Sequence, residues 1–309
     1  MINIKKISIF LLLSLTLFAQ DFDYKLKPIK IAKNTYSLIG ETEFFSVKNG
    51  GNISNSSFII TKEGVIVIDT GSSFRYGQQM LEAIKKITNK PIKMVINTHH
   101  HPDHFLGNQA FKNSTILASE YTKNDISNNG DLYIINLLNL TYKWMNKTEV
   151  KAPNKTLKPF VDKYIKLGKH KLKVIYLEGH TDSDIALYDE YTKTLFASDL
   201  IFYNRIAATP HANIEKWIIS LEKLRQVDYK VLVPGHGPIS YNKEPFDQMK
   251  RYLIYLDNTL KESAKKGLSV FEILQLNKPE EFRNMDMIKD EFERSIINLY
   301  PKYENALMN

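Results

Sequence analysis

The chain has 309 residues, of which 43% are hydrophobic and 25% charged, with a formal net charge of +8 and no cysteine. Without cysteine it can form no disulfide and carry no thiol-linked lipid, but a domain of this size buries enough core to fold without them. The positive excess is modest and scattered among acidic residues. This argues against nucleic acid as a partner and indicates a solubilising surface that mildly favours anions.

The first segment of the chain predicts export. Two lysines precede an apolar stretch at residues 7–18, and Ala19 then stands before a polar residue. A basic start, a short apolar run and a small residue are typical of a secretory signal peptide, and this run is short for a transmembrane span. We therefore predict a signal peptide at 1–19, one domain at 20–309, and a periplasmic or secreted location without stable membrane insertion. An uncleaved anchor is the alternative, and Leu17 leaves the cleavage position open.

Hydrophobic periodicity predicts a mixture of strands and helices in the rest of the chain. Strands are expected over 28–68, then a helix from Tyr76 to about Thr88, then a buried strand over 92–98. The apolar residues of this helix share one face: Met80, Leu81, Ile84 and Ile87.

Three later segments are also expected to be helical. Residues 121–150 are predicted to form one or two helices over a groove. Another helix is expected to start after Asn213, with Trp217 in the core. The tail over 243–309 is predicted to be a helical scaffold, with one domain as the economical count.

Four of the eight histidines fall in one run of six residues, directly after the strand predicted over 92–98. In an extended segment residues i and i+2 point to the same side, so His99 and His101 can share one metal ion. Asp103 and His104 lie further round the turn, where they can reach a second ion. Because imidazole and carboxylate are preferred ligands of zinc and similar divalent metals, the run suggests a two-metal catalytic centre. A histidine tag is the alternative, but it would lie at a terminus without an aspartate in register.

Two more histidines stand where predicted strands end. His180 follows a strand predicted over 171–177, and His236 follows a short buried strand predicted over 230–233. A glycine beside each histidine frees the backbone, as a tight turn requires. Together with the histidine run, both are candidate ligands.

Two aspartates also lie at strand ends. Asp199 closes a strand over 194–199, which we expect to pair with 184–188 across a turn. A buried carboxylate is costly when unpaired, and coordination to two cations would remove that cost. Asp69 ends the apolar segment 65–68. We expect it to orient a ligand histidine by a hydrogen bond and not to bind metal itself.

These residues together resemble those of the metallo-β-lactamase superfamily, over essentially the whole mature chain. Residues 99–104 match its H-x-H-x-D-H signature, and 68–71 match its early Asp-containing turn. His180, Asp199 and His236 match the third-ligand histidine, the bridging aspartate and the late histidine. Within the superfamily the chain is most similar to the quinoprotein relay system zinc metallohydrolases, which are related to a protein encoded with sulfur-oxidation genes. The segments that carry this similarity are 49–53, 96–99, 107–108, 195–202 and 233–238.

The resemblance implies an α+β fold, an αββα sandwich with the metal site at one edge of the two sheets. It also implies two Zn²⁺ ions, with iron and manganese left open. The first ion would be held by His99, His101 and His180. The second would be held by Asp103, His104 and His236, and Asp199 would bridge the two. Asp103 and Asp199 are the carboxylates predicted to serve catalysis.

The reaction implied is hydrolysis of a small molecule. A hydroxide shared by two metals would attack an ester, a thioester or a lactone. The alternatives are a β-lactam hydrolase, an iron-dependent relative of the persulfide dioxygenases, and an accessory metalloprotein of a periplasmic quinoprotein dehydrogenase or sulfur-oxidation system. The substrate and the oligomeric state are left open.

Four other positions complete the sequence-based predictions. Ser198 stands where the family usually has glycine, a departure that should not stop metal binding. His100 points away from its two neighbours and is predicted to be structural or solvent-facing. His170 is predicted to be exposed in a turn. His211 could line the groove, but we expect that it does not.

Overall fold

The computed structural model describes residues 22–159 and 161–308, so the signal peptide predicted at 1–19 lies outside the described residues. Within these ranges the chain forms twelve strands in two sheets, together with eight α-helices and two short 3-10 helices. None of the helices in the described part of the chain combines the length and the apolar character needed to cross a bilayer.

The first sheet contains seven of the described strands in sequence order. These are β1 (Ile29–Ala32), β2 (Thr35–Leu38), β3 (Ser56–Ile60), β4 (Val65–Ile68), β5 (Ile92–Ile96), β6 (Thr115–Ser119) and β7 (Lys155–Leu157). Strands β1 to β4 pair antiparallel, whereas β4 to β7 pair parallel. Parallel neighbours need long crossover connections, and the helices between β4 and β7 supply them.

The second sheet contains five described strands in the order β12-β11-β10-β9-β8. These are β8 (Tyr164–Leu167), β9 (His170–Leu177), β10 (Asp184–Asp189), β11 (Thr194–Phe202) and β12 (Val231–His236). Strands β10 and β11 pair antiparallel, as the sequence predicts, and β11 pairs parallel with β12. Because β10 is also antiparallel to β9, the strands β9, β11 and β12 all run in one direction and end at one edge.

The helices cover the outer faces of the two sheets. They are α1 (Phe74–Lys85), α2 (Pro102–Phe105), α3 (Glu120–Thr141), α4 (Ile214–Arg225), α5 (Glu244–Lys265), α6 (Val270–Leu274), α7 (Glu280–Arg283) and α8 (Ile288–Met308). The 3-10 helices span Leu106–Phe111 and Tyr142–Met145.

Three apolar layers hold the sandwich together. The inner faces of the sheets meet in one cluster, in which Ile66 and Ile96 pack with Leu187. Helix α1 closes the outer face of the first sheet, and α4, α5 and α8 close the outer face of the second. The architecture is therefore α+β with the predicted αββα layers, because each sheet buries apolar side chains on both faces.

The helices predicted after residues 75 and 213 are both present, but the first begins and ends at other residues than predicted. Helix α1 begins two residues before the predicted start because Ser73 caps it, accepting a hydrogen bond from the Tyr76 amide. It ends before Ile87, which is 39% exposed, because the chain then turns towards Pro91 to enter β5. Helix α4 starts after Asn213 as predicted, and Trp217 is fully buried.

The prediction that His170 is exposed is wrong. Its ring is buried at the start of β9, and its Nδ1 lies 2.8 Å from Oδ2 of Asp189. Burial alone would raise the pKa of Asp189. Hydrogen bonds from His170 and Thr192 outweigh that effect and hold the pKa below its usual value. The pair closes the β9–β10–β11 end of the second sheet, away from the histidine run.

We predict that Asp189→Asn lowers the free energy of unfolding of the metal-free protein by about 1–3 kcal/mol at pH 7, since it weakens a buried charge-assisted hydrogen bond. A carboxyl with a depressed pKa in the folded state stabilises above its unfolded-state pKa of about 3.9 and loses that effect as the pH falls through its folded-state pKa. The difference between the variant and the wild type should therefore shrink below about pH 4. Urea unfolding with chelator between pH 7 and pH 3.5 measures it, and a difference constant across this range would contradict the assignment.

Candidate metal centre

The seven predicted ligand residues converge at the edge where β9, β11 and β12 end and where the chain leaves β5. They form two sets of potential ligand atoms, and within each set all atoms lie within 4.8 Å of one another. The first set contains His99, His101, His180 and Asp199. The second contains Asp103, His104 and His236. This division matches the pairing of residues with metals that the sequence predicts.

The first set is built around two facing imidazoles. Nε2 of His180 lies 2.8 Å from Nδ1 of His101 and 3.3 Å from Oδ2 of Asp199. Nε2 of His99 lies 3.7 Å from the same carboxylate oxygen. Four ligands at about 2.0–2.1 Å around a tetrahedral zinc are about 3.3 Å apart, so these spacings fit one ion.

The second set has similar spacings. Oδ2 of Asp103 lies 3.6 Å from Nε2 of His104 and 3.4 Å from Nε2 of His236. Asp199 touches this set as well, because its Oδ1 lies 3.0 Å from His104 and its Oδ2 lies 3.1 Å from His236. The two oxygens of one carboxylate therefore reach both sets, which is the position of a bridging ligand.

Several buried polar atoms of the two sets form no hydrogen bond of good geometry among the described residues. They are Nε2 of His99, Nε2 of His104, Nδ1 of His180 and Oδ1 of Asp199. Buried polar atoms are nearly always satisfied in folded proteins, and clustered exceptions call for an ion or a water. Because all but Nδ1 of His180 face the carboxylate or imidazole groups of the two sets, the donor set fits divalent metals.

The electrostatics of the two sets suit metal binding. Burial lowers the pKa of His99 and His101 well below the usual value and that of His180 to about 3. These imidazoles are therefore neutral, as ligands must be. Burial opposes ionisation of Asp199, but His104, His236 and His99 outweigh it and hold its pKa well below the usual range.

His104 differs from the other imidazoles. Burial lowers its pKa, but the carboxylates of Asp199, Asp103 and Asp69 together outweigh burial and raise it well above the usual value. Three buried carboxylates thus create a region that stabilises positive charge, and a metal ion is the cation that such a region suits.

Asp69 orients ligands in both sets, as the sequence predicts. Its Oδ2 lies 2.8 Å from Nδ1 of His104 and accepts a hydrogen bond from the Thr98 hydroxyl at 2.8 Å. Its Oδ1 accepts a hydrogen bond from the Thr98 amide, and the Thr98 hydroxyl lies 3.1 Å from Nδ1 of His99. One carboxylate therefore positions His104 directly and His99 through a threonine.

Ser198 explains how Asp199 is directed. It has a φ of 51°, in the left-handed region that glycine adopts most easily, and the register between β11 and β12 shifts there. An irregularity of this kind re-aims the next side chain. The Ser198 hydroxyl also lies 2.6 Å from the Thr98 hydroxyl, so this departure from the usual glycine adds a polar contact. Strand β11 continues to Phe202, so Asp199 lies within the strand and does not end it as predicted.

Glycine is required beside two of the ligands. A Cβ atom at Gly235 would lie 2.0 Å from Oδ1 of Asp199, and at Gly179 it would lie 2.3 Å from Cα of Trp217. Any larger residue at Gly235 would therefore displace the bridging carboxylate. The side chain of Asn55 holds the same loop by donating to the carbonyls of Pro234 and Gly237.

Arg205 is a site residue that sequence reasoning did not select. It is buried, and its Nη2 lies 3.3 Å from Glu291 of helix α8. Nδ1 of His236 lies 2.8 Å from the Ile53 carbonyl and 3.0 Å from Nη1 of Arg205. Since a carbonyl only accepts and a guanidinium only donates, we assign the His236 proton to the Ile53 contact, which leaves Nε2 free for a metal.

A large cavity opens over the metal ligands. Its volume is about 950 Å³. Helix α3 forms one wall, which agrees with the predicted cover over the groove. Helix α8 contributes Glu291, Arg294 and Lys302 to the lining. The tail therefore shapes the cavity and is not only the scaffold that the sequence predicts. No sequence signal links these residues to the ligands, because they are brought there only by the packing of α8.

The remaining two histidines both line the cavity. His100 is buried, which agrees with the structural alternative of its prediction and not with the solvent-facing one. His211 also lines the cavity, and its Nδ1 lies 2.9 Å from Nε2 of His101. The expectation that His211 lies outside the groove is therefore wrong. The loop after β11 carries it back over the histidine run.

Comparison with known proteins agrees with this site. The family model described as the metallo-beta-lactamase superfamily matches residues 49–236, which include all seven predicted ligands. In fold, the chain is similar to a metallo-beta-lactamase from Pontibacter korlensis, with a TM-score of 0.61 and 23% identity over 74% of this chain and 99% of that one.

Two curated relatives carry different activities in their names. A linear primary-alkylsulfatase of a Pseudomonas species is 24% identical over 69% of this chain. The match spans 48% of that protein, so the chain covers about half of its length. The human acyl-coenzyme A thioesterase MBLAC2 is 26% identical over 60% of this chain and 74% of its own length.

We predict that Asp69→Asn lowers zinc affinity by about ten- to hundredfold, because the amide no longer accepts equally well from Thr98 and His104. Asp189→Asn is the matched control, since Asp189 is also a buried carboxylate 2.8 Å from a histidine Nδ1. Competition with a chromogenic chelator measures the affinity of each variant. Equal affinities in both variants and the wild type would refute the orienting role of Asp69.

Proposed function

The chain belongs to the metallo-beta-lactamase superfamily, and we propose that it is a two-zinc hydrolase that cleaves small amphipathic, anionic esters or thioesters. One observation carries the proposal: two sets of buried ligand atoms meet at the two oxygens of Asp199. Such a pair of sites suits hydrolysis, in which one ion would activate the attacking water and the other would polarise the electrophilic carbonyl of the substrate.

The proposed ligands are those predicted from the sequence, with His99, His101 and His180 in one site. Asp103, His104 and His236 form the other, and Asp199 is shared. When bound, two divalent ions would activate a water and polarise the scissile carbonyl. Burial keeps the imidazoles of His99, His101 and His180 neutral and excludes bulk water from the ligand atoms, and Asp69 orients His104 and, through Thr98, His99. Imidazole and carboxylate ligands without sulfur suit zinc, and they also accept iron or manganese.

The wall of the cavity indicates an apolar substrate portion. Phe44, Leu132, Leu137 and Leu140 line it, and Leu132 is 56% exposed in the absence of a ligand. An exposed leucine beside a catalytic cleft is a natural contact for a hydrocarbon chain. A cavity of about 950 Å³ accommodates a substrate of this kind together with its polar end.

The charges of the cavity indicate an anionic substrate. Among the described residues that line it are the cationic Arg205, Arg294 and Lys302, together with five carboxylates. Two divalent ions would outweigh the excess of acidic groups and make the loaded cavity net positive. Arg205 is buried beside His236, where its charge would favour an anionic group of the substrate near the ligands.

The relatives support this substrate class without deciding it. An alkyl sulfate and an acyl-coenzyme A, the substrates that their names indicate, both join an apolar chain to an anionic group. Each relative is about a quarter identical to this chain in the aligned region, so the leaving group is to be identified by the substrate screen. A β-lactam is included in the substrate screen for comparison, because its carbonyl carbon is an electrophile of the same kind as that of an ester or thioester.

Export is part of the proposal and rests on the sequence. The basic start and the apolar stretch at 7–18 are typical of a signal peptide. A periplasmic or secreted enzyme would act on substrates that come from outside the cell. Cell fractionation tests it, and protein that stays with the cytoplasmic fraction at full length would contradict it.

We predict that His101→Ala and Asp199→Ala each lose bound metal and reduce kcat/KM by on the order of 100-fold or more, because metal catalysis contributes several kcal/mol. Elemental analysis and a hydrolysis screen over thioesters, lactones, alkyl sulfates and a chromogenic lactam provide the readouts. Asp228→Ala is the control, since Asp228 is an exposed partner of Lys193 and not a cavity residue. Two metals and normal turnover in the Asp199 variant would end the proposal.

We predict that Leu132→Gln reduces kcat/KM for a long-chain ester by roughly tenfold, as expected from the loss of partial leucine burial. The value for an acetyl ester of the same alcohol should change little. Ile219→Gln is the matched control, because Ile219 is similarly exposed on a helix but does not line the cavity. Equal losses for long and short esters would contradict an apolar contact at Leu132.

A further inference from the structure

A second group of histidines lies beside the proposed metal pair. It consists of His100, His101 and His211, and we call it the cavity histidine cluster. One ring nitrogen of each residue lies within 4.8 Å of those of the other two. We propose that this cluster binds a third divalent cation, zinc or a similar ion, which inhibits hydrolysis by occupying the cavity.

The geometry of the cluster resembles that of the two proposed sites. Nε2 of His101 lies 2.9 Å from Nδ1 of His211. The ring centroid of His100 lies 4.9 Å from that of His101 and 5.6 Å from that of His211. Three imidazole ligands and a water complete a tetrahedral zinc site, in which ligand atoms are about 3.3 Å apart. A small rotation of His211, which is exposed, would open the space needed.

An unpartnered atom supports the presence of a ligand. Nδ1 of His100 is buried and has no hydrogen-bond partner within the described residues. Its ring is held between the cluster and the side chains of Tyr121 and Tyr133. A buried imidazole nitrogen without a partner is unfavourable, and coordination of a cation would satisfy it.

Burial is the largest effect at His100 and opposes positive charge there, whereas two carboxylates of the cavity favour it. Asp125 and Asp182 line the cavity and interact favourably with positive charge at both His100 and His211. Arg294 and Lys302 oppose positive charge at His211. The two carboxylates act on both histidines, whereas the two cations act on the exposed one. Arg294 and Lys302 therefore weaken cation binding at His211, while the two carboxylates still favour a divalent ion at the cluster.

This inference rests on the proposed function, because His101 would use Nδ1 for the metal pair and Nε2 for the third ion. Its two ring nitrogens face different partners, since Nδ1 lies 2.8 Å from Nε2 of His180 and Nε2 lies 2.9 Å from Nδ1 of His211. The ion would stand in the cavity beside the metal pair, where it excludes substrate.

The competing explanation is a hydrogen bond. His211 could accept from the Nε2 proton of His101 and so orient that ligand, as outer partners of metal ligands commonly do. This role requires no third ion. It predicts that His211→Ala weakens the first two metals and that His100→Ala has no effect on metal content.

The experiment counts zinc ions in the untagged protein. The two-zinc protein is dialysed against rising free Zn²⁺, and bound zinc is measured by elemental analysis. We expect three ions in the wild type and two in His100→Ala and in His211→Ala. Asn129→Ala is the matched control, since Asn129 lines the cavity outside the cluster, and it should bind three. Thermal unfolding of each variant checks that the buried His100 position tolerates alanine.

Activity provides the second readout. Hydrolysis by the wild type and by Asn129→Ala should fall as zinc rises beyond two equivalents, and the zinc concentration for half inhibition should rise about tenfold or more in the two histidine variants.

The outcomes separate the two proposals. Two ions in the wild type at excess zinc, or three in both histidine variants, would overturn the third site and leave the proposed function intact. Fewer than two ions in the wild type would overturn the proposed function, and the third site with it.

Discussion

The structure depends on one buried carboxylate that must be compensated. Asp199 lies in the middle of a core strand, and its two oxygens face imidazoles from several separate segments of the chain. An isolated buried carboxylate would cost several kcal/mol or more, so its environment must supply positive charge or metal. The glycine beside His236 and the left-handed backbone of Ser198 both serve to place this group. Much of the local geometry follows from that requirement.

The arrangement of the sheets brings the compensating groups together. Strands β9, β11 and β12 run in one direction, and the loop after β9 and the last residue of β12 carry ligands at the same edge. The first sheet adds the histidine run after β5. Backbone hydrogen bonds tie the sheets together there, from Ile185 to the Thr98 carbonyl and from Asn55 to the Gly235 carbonyl. The site is thus assembled on the two sheets, and helices α3 and α8 shape the cavity above it.

The proposed metal pair and the cavity histidine cluster share one residue, His101, which would link hydrolysis to its inhibition by a third ion. His101 presents Nδ1 to His180 and Nε2 to His211. The two nitrogens of an imidazole are about equally able to coordinate metal, and the choice depends on what each one faces. The exposed partner His211 leaves Nε2 of His101 accessible from the cavity. A buried carboxylate in that place, such as the Asp69 carboxylate beside Nδ1 of His104, would block it.

The sequence alone selected the candidate ligands that the structure brings together, and their resemblance to a known family predicted the fold class. Histidines and aspartates placed directly after apolar strands are informative because a packed core has no use for them, and the spacing of residues 99–104 is local. The same local reasoning selected Asp69 as an orienting group. Tertiary structure alone decided the rest, because it depends on residues far apart in the chain. His170 is buried only because Asp189 lies opposite it across two paired strands. Glu291 reaches Arg205 only because α8 packs back over the second sheet. Local periodicity carries no information about such contacts, since it records which face of an element is apolar and not which element will cover it.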